Sequence, residues 1–247
     1  MRRIFTKPEK GSVIFLLPSL FTLGAICSGL FAIISSINHE YLNAIYLIFL
    51  SMILDSIDGR IARLTHTSSL FGAQLDSLSD MVSFGVAPAL IIYNYQLHLL
   101  GKIGAVITFI YVACVALRLA RFNTMLAIND KRFFIGLPST AAAPIIAGYV
   151  WLSYSYALSS HIFVILGAVI TLFIAFSMVN NVRFYSFKEF NIRHKARFRV
   201  LLISLLVLVF LVIDPELSIY IVFVGYVVIS YVIAIMNFIK NSKKNVY

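Results

Sequence analysis

Four aspartates stand close together in a sequence that carries few other acidic groups: four of its ten acidic residues fall between positions 55 and 80. Asp55 and Asp58 are three residues apart and Asp76 and Asp80 are four apart, so each pair would project from one face of a helix. Carboxylates gathered in one site repel one another, and they either take up protons or bind cations. Two divalent cations would supply the four balancing charges. The spacing therefore predicts a metal site formed by all four aspartates.

Small residues accompany these aspartates. Gly72 lies one helical turn before Asp76, and Gly59 directly follows Asp58, so space is left beside each carboxylate pair. The arginine at position 63 can reach an anionic group held by the metals. A nucleotide diphosphate meets these requirements. The residues predicted to border it are Gly59, Ala62, Arg63 and Gly72.

One of these carboxylates is also the candidate for a general base. Asp80 is the candidate if the other aspartates are committed to metal, because a base needs a free lone pair. His66 lies between the two acidic pairs and is the alternative, although a lone loop histidine is usually just solvated. A single acidic residue at a helix end is also often a plain interfacial charge, but a cluster of them is costly near a bilayer without compensation.

Two arginines, Arg118 and Arg121, end the fourth apolar stretch and share one helix face. The planar guanidinium fork suits phosphate oxygens, and these residues are the candidates for substrate binding. Interfacial arginines also anchor topology, so both interpretations stay open at this point.

The elements that carry these residues are apolar helices. Hydrophobic residues make up 61% of the 247-residue chain, and its mean hydropathy is +0.95, which indicates an integral membrane protein. About 20 apolar residues cross a bilayer as a helix. The predicted fold class is an all-α polytopic membrane protein with about eight transmembrane helices. The approximate spans are 16–36, 41–62, 70–93, 101–121, 138–157, 161–182, 198–213 and 217–239.

The net charge of +10 would suggest a nucleic-acid partner in a soluble protein. Here, however, the basic residues are predicted to lie almost entirely on one side of the membrane. With the N-terminus in the cytoplasm, every lysine and arginine except Lys102 falls at a cytoplasmic end. Both termini and the acidic cluster are then cytoplasmic, and the basic face meets anionic lipid headgroups. The sequence predicts a multi-pass protein of the cell membrane, with lipids and no nucleic acid as partners.

The chain is predicted to form one integral membrane domain over residues 1–247. Within it, 1–15 is an interfacial lead-in, 16–182 is a catalytic six-helix unit, and 183–247 is a basic joint with two additional spans. Ser28 and Gly29 in the first span are small enough to permit close helix approach. Cys27 and Cys114 fall inside spans without the spacing of a metal knuckle or a disulfide framework.

The acidic segment resembles the signature of the CDP-alcohol phosphotransferases. The pattern Asp55-x-x-Asp58-Gly59-x-x-Ala62-Arg63, then eight residues, then Gly72-x-x-x-Asp76-x-x-x-Asp80 matches it at eight defined positions spanning 26 residues. The stretches 83–89, 117–123 and 136–143 are similar to the phosphatidylserine synthase branch of that family. Ser19 and Ala25 stand where the family pattern would have asparagines.

The resemblance implies a membrane-embedded homodimer that displaces CMP from a CDP-linked lipid with magnesium or manganese. Asp55, Asp58 and Asp76 would bind metal, and Asp80 would bind metal and act as base. For this branch the prediction is that metals bridge the pyrophosphate of CDP-diacylglycerol while Asp80 accepts the hydroxyl proton of L-serine. Arg118 or Arg121 would bind either phosphate or the serine carboxylate.

Two other functions are compatible with parts of the pattern. Another member of the family would use glycerol 3-phosphate or inositol phosphate and would need an additional basic pocket, which the two arginines also provide. A cation transporter is the alternative from a different class, because intramembrane carboxylates also line ion paths. Transport would favour carboxylates at the bilayer midplane, whereas these gather at one edge.

Overall fold

Apolar helices make up almost all of the structure, a computed structural model that describes residues 16–65, 67, 69–125, 133–180, 183–185, 205 and 208–244. The helices are α1 (Leu16–Ile37), α2 (Tyr41–Leu64), α3 (Leu70–Asp80), α4 (Ala87–Tyr95), α5 (Lys102–Met125), α6 (Ser139–Ser155), α7 (His161–Val179) and α8 (Pro215–Lys244). The all-α membrane fold is therefore confirmed, and the chain is a multi-pass membrane protein.

Within these described ranges, six helical segments are long and apolar enough to cross a bilayer. They are α1, α2, the continuous segment Leu70–Tyr95, α5, α7 and α8. The predicted span 138–157 is present as α6, whose 17 residues are at the short end of the range for a membrane crossing. The predicted span 198–213 lies mostly outside the described residues, apart from helical residues at 205 and 208–213. The count of eight and the cytoplasmic termini stay predictions.

Helix α6 lies at the centre of the bundle and packs against α2, α4, α7 and α8. Every residue from 141 to 151 is buried, which is typical of a helix that is apolar on all sides and surrounded by others. Small side chains such as those of Ala141–Ala143 allow the neighbouring helices to approach closely. The site that forms at the first turn of α6 is therefore built on a rigid element.

A π-helical segment, Met81–Val86, joins α3 to α4 directly after Asp80. Its Ser83 is buried and donates a hydrogen bond to the carbonyl oxygen of Ala25 in α1, at 3.0 Å. A Cβ placed on Gly29 of α1 would lie 2.7 Å from Ser83 Oγ and 3.0 Å from Ser83 Cα. The predicted close approach at Gly29 is thus confirmed, and it holds the acidic end of α3 against α1.

Replacing Gly29 by alanine is expected to lower the free energy of unfolding by about 1–2 kcal/mol. The added methyl must displace Ser83, which costs about 1–3 kcal/mol, and alanine's better helix propensity offsets up to about 1 kcal/mol. The melting temperature in detergent should fall by a few degrees. Gly225→Ala is the matched control, because a Cβ there meets nothing within 4 Å. Equal melting temperatures for the two variants would contradict this packing.

The end of the bundle where α2 begins is rich in tyrosine. The Tyr41 hydroxyl donates to the carbonyl oxygen of Asn94 at 2.9 Å. The ring of Tyr41 meets those of Tyr95 and Tyr154 edge-on, with centroids 5.1 and 6.1 Å apart. Such rings are typical of a membrane–water interface. Because α2 begins here, its acidic residues emerge at the opposite end of the bundle.

The start of α8 is anchored at the same tyrosine-rich end. Asp214 Oδ1 accepts a hydrogen bond from the backbone N–H of Leu217 at 3.1 Å, which caps the first turn of the helix. Its other carboxylate oxygen accepts a hydrogen bond from the Tyr156 hydroxyl. This bond lowers the pKa of Asp214 below its ordinary value and raises the pKa of Tyr156.

A short antiparallel ribbon lies at the acidic end, formed by β1 (Phe133–Ile135) and β2 (Arg183–Tyr185). It brings the chain before α6 against the chain after α7. Gly136 follows β1 with a φ of +82°, and a Cβ there would lie only 2.1 Å from the carbonyl oxygen of Met178. Only glycine fits this conformation and this approach. The ribbon and the glycine together fix where α6 begins.

Candidate active site

Three of the four predicted aspartates come together at the end of the bundle opposite the tyrosines. Asp55 of α2 and Asp76 and Asp80 of α3 each offer a carboxylate oxygen, and these atoms lie within 4.8 Å of one another. Two ionised carboxylates at 4.8 Å repel each other by roughly 3.5 kcal/mol at an effective dielectric constant of about 20. The carboxylates of this acidic triad either take up protons or bind a cation. Clustered carboxylate oxygens are the donors that hard divalent cations prefer, so the residues fit a divalent metal ion.

The fourth aspartate, Asp58, has a separate contact. Its Oδ2 accepts a hydrogen bond from Thr22 Oγ1 of α1 at 2.7 Å, and both residues are only 4% exposed. It is not among the three residues whose ligand atoms converge. The predicted participation of Asp58 in metal binding thus stays a prediction, while its side chain is held in place from α1.

Thr22 also connects α1 to α3. The Ser79 hydroxyl, directly before Asp80, donates to the backbone carbonyl oxygen of Thr22 at 3.3 Å. One turn of α1 therefore contacts both acidic helices. Sequence reasoning missed Thr22, because a single hydroxyl in an apolar helix carries no pattern that distinguishes it from a packing residue.

Arg118 of α5 reaches the acidic triad through Ser139, the first residue of α6. Arg118 Nη1 donates to Ser139 Oγ at 2.6 Å, and Ser139 Oγ donates to Asp80 Oδ2 at 3.4 Å. The guanidinium also lies over the ring of Phe122, 5.9 Å from its centroid. A fixed positive charge thus stands beside the carboxylates. Ser139 was not predicted as a site residue, although it belongs to the stretch 136–143 that resembles the phosphatidylserine synthase branch.

The second predicted arginine has a different neighbour. Arg121 Nη1 donates to the carbonyl oxygen of Val179 at the end of α7, at 3.3 Å. The guanidinium of Arg121 therefore lies at the negative end of the α7 dipole, where a cation caps a helix favourably. Arg118 points to the start of α6, so the contacts of the two arginines lead to separate elements. Substrate binding by either arginine stays a prediction.

The two glycines predicted to border a nucleotide are not crowded by other elements. A Cβ placed on Gly59 meets nothing within 4 Å, and one on Gly72 meets only Ser69 Oγ, at 3.2 Å. Ser69 caps α3 by accepting from the Gly72 N–H at 3.0 Å. The exposed Arg63 is folded back on its own helix, with Nε donating to the Gly59 carbonyl oxygen at 2.8 Å. Ala62 is half-buried one turn after Asp58, and His66 lies outside the described residues.

The sequence matches the CDP-alcohol phosphatidyltransferase family over residues 15–175. The chain belongs to this family. Every predicted site residue falls inside the matched region, and so do the acidic triad, Thr22 and Ser139. The family resemblance predicted from the eight-position signature is thereby confirmed.

Proteins named CDP-diacylglycerol–serine O-phosphatidyltransferase are among its relatives. The protein of that name from Helicobacter pylori strain J99 is 35% identical over 235 residues, covering 94% of this chain and 98% of its own length. That of Methanocaldococcus jannaschii is 44% identical over 146 residues, 59% of this chain and 66% of its own. That of Bacillus subtilis is 35% identical over 175 residues, 70% of this chain and 92% of its own. The similarity to the H. pylori protein extends into the helices after residue 175.

Proposed function

We propose that this family member transfers the phosphatidyl group of CDP-diacylglycerol to L-serine, forming phosphatidylserine and CMP. The observation that carries the proposal is the acidic triad beside Gly59 and Gly72, which offers cation ligands and open space for a nucleotide diphosphate. The serine acceptor is supported by the names of the relatives, one of which aligns over nearly its whole length.

In this reaction the aspartates bind metal, and Asp80 also acts as the general base. Asp55, Asp76 and Asp80, with Asp58 as the predicted fourth ligand, would hold Mg²⁺ or Mn²⁺, which when bound supplies positive charge to neutralise the pyrophosphate. Asp80 accepts the proton of the serine hydroxyl as general base. The serine oxygen then attacks the lipid-proximal phosphorus in line, the bond from that phosphorus to the CMP oxygen breaks, and CMP leaves with the electron pair.

Arg118 is placed to complement the negative charge in this chemistry. Its guanidinium contacts Ser139, which in turn contacts the base. In this proposal Arg118 binds the carboxylate of serine or a phosphate oxygen, since the planar fork suits both groups. Gly59, Ala62, Arg63 and Gly72 border the nucleotide in this proposal, and the cytidine then occupies the space beside the two glycines.

We infer that the site faces the cytoplasm of a cell-membrane protein. Arg60, Arg63, Arg118 and Arg121 all lie at the acidic end of the bundle, whereas Lys102 begins α5 at the other end, a distribution that the positive-inside rule assigns to a cytoplasmic acidic end. The donor's acyl chains then remain among the helices while the charged nucleotide stays in water. The homodimer, and a catalytic unit ending near residue 182, are further predictions of this proposal.

The test is a comparison of acceptors. Purified protein in detergent is given CDP-diacylglycerol with L-serine, glycerol 3-phosphate or inositol phosphate, and CMP release is followed with and without Mg²⁺ or Mn²⁺. The expected result is metal-dependent release with L-serine at least about tenfold faster than with the other two, a difference of about 1.4 kcal/mol in the barrier. Faster release with either phosphorylated acceptor would assign the protein to another branch of the family. Carboxylate-dependent cation flux in vesicles without CMP release would instead favour the transporter.

A further inference from the structure

We propose that Ser139 is a positioning residue that couples Arg118 to the base Asp80. The inference rests on the proposed function, because it concerns how the base of that reaction is held. It assigns a specific task to a residue that was not among the predicted site residues.

The direction of the hydrogen bonds is determined by the three groups. A guanidinium only donates, so Ser139 Oγ must accept from Arg118 Nη1 at 2.6 Å. The hydroxyl has a single proton, which is then directed to Asp80 Oδ2 at 3.4 Å. Asp80 therefore has one oxygen oriented by Ser139. Because the guanidinium of Arg118 has no acceptor, the two hydrogen bonds cannot run in the opposite direction.

The position of Ser139 is fixed independently of these two partners. The residue is fully buried, with 0% of its surface exposed. Two residues before it, the Leu137 N–H donates to the Ser177 carbonyl oxygen at 3.0 Å, and Gly136 packs on Met178. The first turn of α6 is thus tied to the last turns of α7. A hydroxyl on such a support holds its partners more firmly than one on a loop.

Helix capping does not account for this hydroxyl. Pro138 occupies the N-cap position of α6, and no side chain caps the helix there. A serine in a first helical turn commonly bonds to nearby backbone. The contacts of Ser139 Oγ are instead with Arg118 and Asp80, on two other helices. The other explanation is that position 139 needs only a small side chain, and alanine would then serve equally well.

The first experiment compares Ser139→Ala with Ser153→Ala. Both serines are fully buried on α6, but Ser153 lies near the far end of the helix, away from Arg118 and Asp80. For Ser139→Ala we expect kcat to fall about 10- to 100-fold, the range typical of residues that orient a site ligand, with KM for CDP-diacylglycerol within about twofold. Ser153→Ala should keep its kcat, and Ser139→Thr, which retains the hydroxyl, should recover most of the lost activity.

The second experiment is a double-mutant cycle. If Ser139 acts by joining Arg118 to Asp80, then Ser139→Ala should change kcat by less than about twofold once Arg118→Gln is present. A loss of the same factor in both backgrounds, or a Ser139→Ala enzyme with unchanged kcat, would overturn the proposal. If CMP is released with another acceptor and not with L-serine, the proposed function fails, and the same comparison is made with that acceptor.

A third measurement does not depend on turnover. Infrared difference spectra of the metal-free protein should contain a carboxylate band that is absent from Asp80→Asn, and that band should shift in Ser139→Ala but not in Ser153→Ala. An unshifted band would show that Asp80 is not held by Ser139, whatever the acceptor of the enzyme.

Discussion

Replacing Asp80 by asparagine is expected to lower the rate of CMP release by about 10²- to 10⁴-fold, the usual contribution of a general base. The amide has the shape of the carboxylate and still accepts the hydrogen bond from Ser139, but it cannot accept a proton from the acceptor alcohol. The measurement is CMP release from CDP-diacylglycerol with L-serine at saturating Mg²⁺.

Two comparisons make the Asp80 result specific. Metal-dependent binding of CDP-diacylglycerol should be retained in part, because the carboxylates of Asp55 and Asp76 remain. Asp214→Asn is the matched control, since Asp214 lies at the tyrosine-rich end of the bundle and contacts Tyr156. Full activity in Asp80→Asn would rule out Asp80 as the base.

Replacing Asp55 by asparagine is expected to have opposite effects on stability with and without metal. In EDTA-treated protein it removes one charge from a triad whose oxygens lie within 4.8 Å of one another, so the melting temperature should rise. With Mn²⁺ at about 100 times its Kd, the wild-type protein should gain about 2.7 kcal/mol, or about 5–10 °C. The variant should lose most of that gain, together with activity.

The Asp58→Asn variant discriminates between a site of three carboxylates and one of four. Thr22 can still donate to the amide oxygen of an asparagine at this position, so the local packing is kept. A retained Mn²⁺ shift in this variant would indicate that the acidic triad binds the ion alone, whereas a lost shift would support the four-aspartate site predicted from the sequence. For Asp55→Asn, an unchanged Mn²⁺ shift would contradict metal binding by the triad.

The ends of the apolar helices were largely predictable, because each apolar stretch stops where a polar joint begins and both features mark the same helix end. Tyr41 begins the second helix as predicted. The convergence of Asp76 and Asp80 on one face followed from their spacing. The π-helical segment was not predictable, because residues 81–92 are all apolar or small, and a uniformly apolar stretch has no periodicity that reveals its helix type.

The partners of the predicted residues were less predictable than the residues themselves. Spacing placed Arg118 and Arg121 on one face, but their different neighbours depend on where α6 begins and α7 ends, which is a tertiary property. The β1–β2 ribbon, with three residues in each strand, is too short for strand periodicity to be recognised. Asp58 and Thr22 are 36 positions apart, so no local pattern connects them.

The π-helical segment after Asp80 sets how far α4 is rotated about the helix axis relative to α3. A π turn contains one residue more than an α turn, and each residue of an α-helix advances by about 100°. Loss of a single codon within residues 81–86 would let this stretch rewind as ordinary α-helix while leaving the sequences on either side intact. Loss of a codon from α3 would instead rotate the carboxylates away from Asp55. This helix therefore contains a place where a single deletion can change the rotation of its lipid-embedded half relative to its reactive half without rebuilding either.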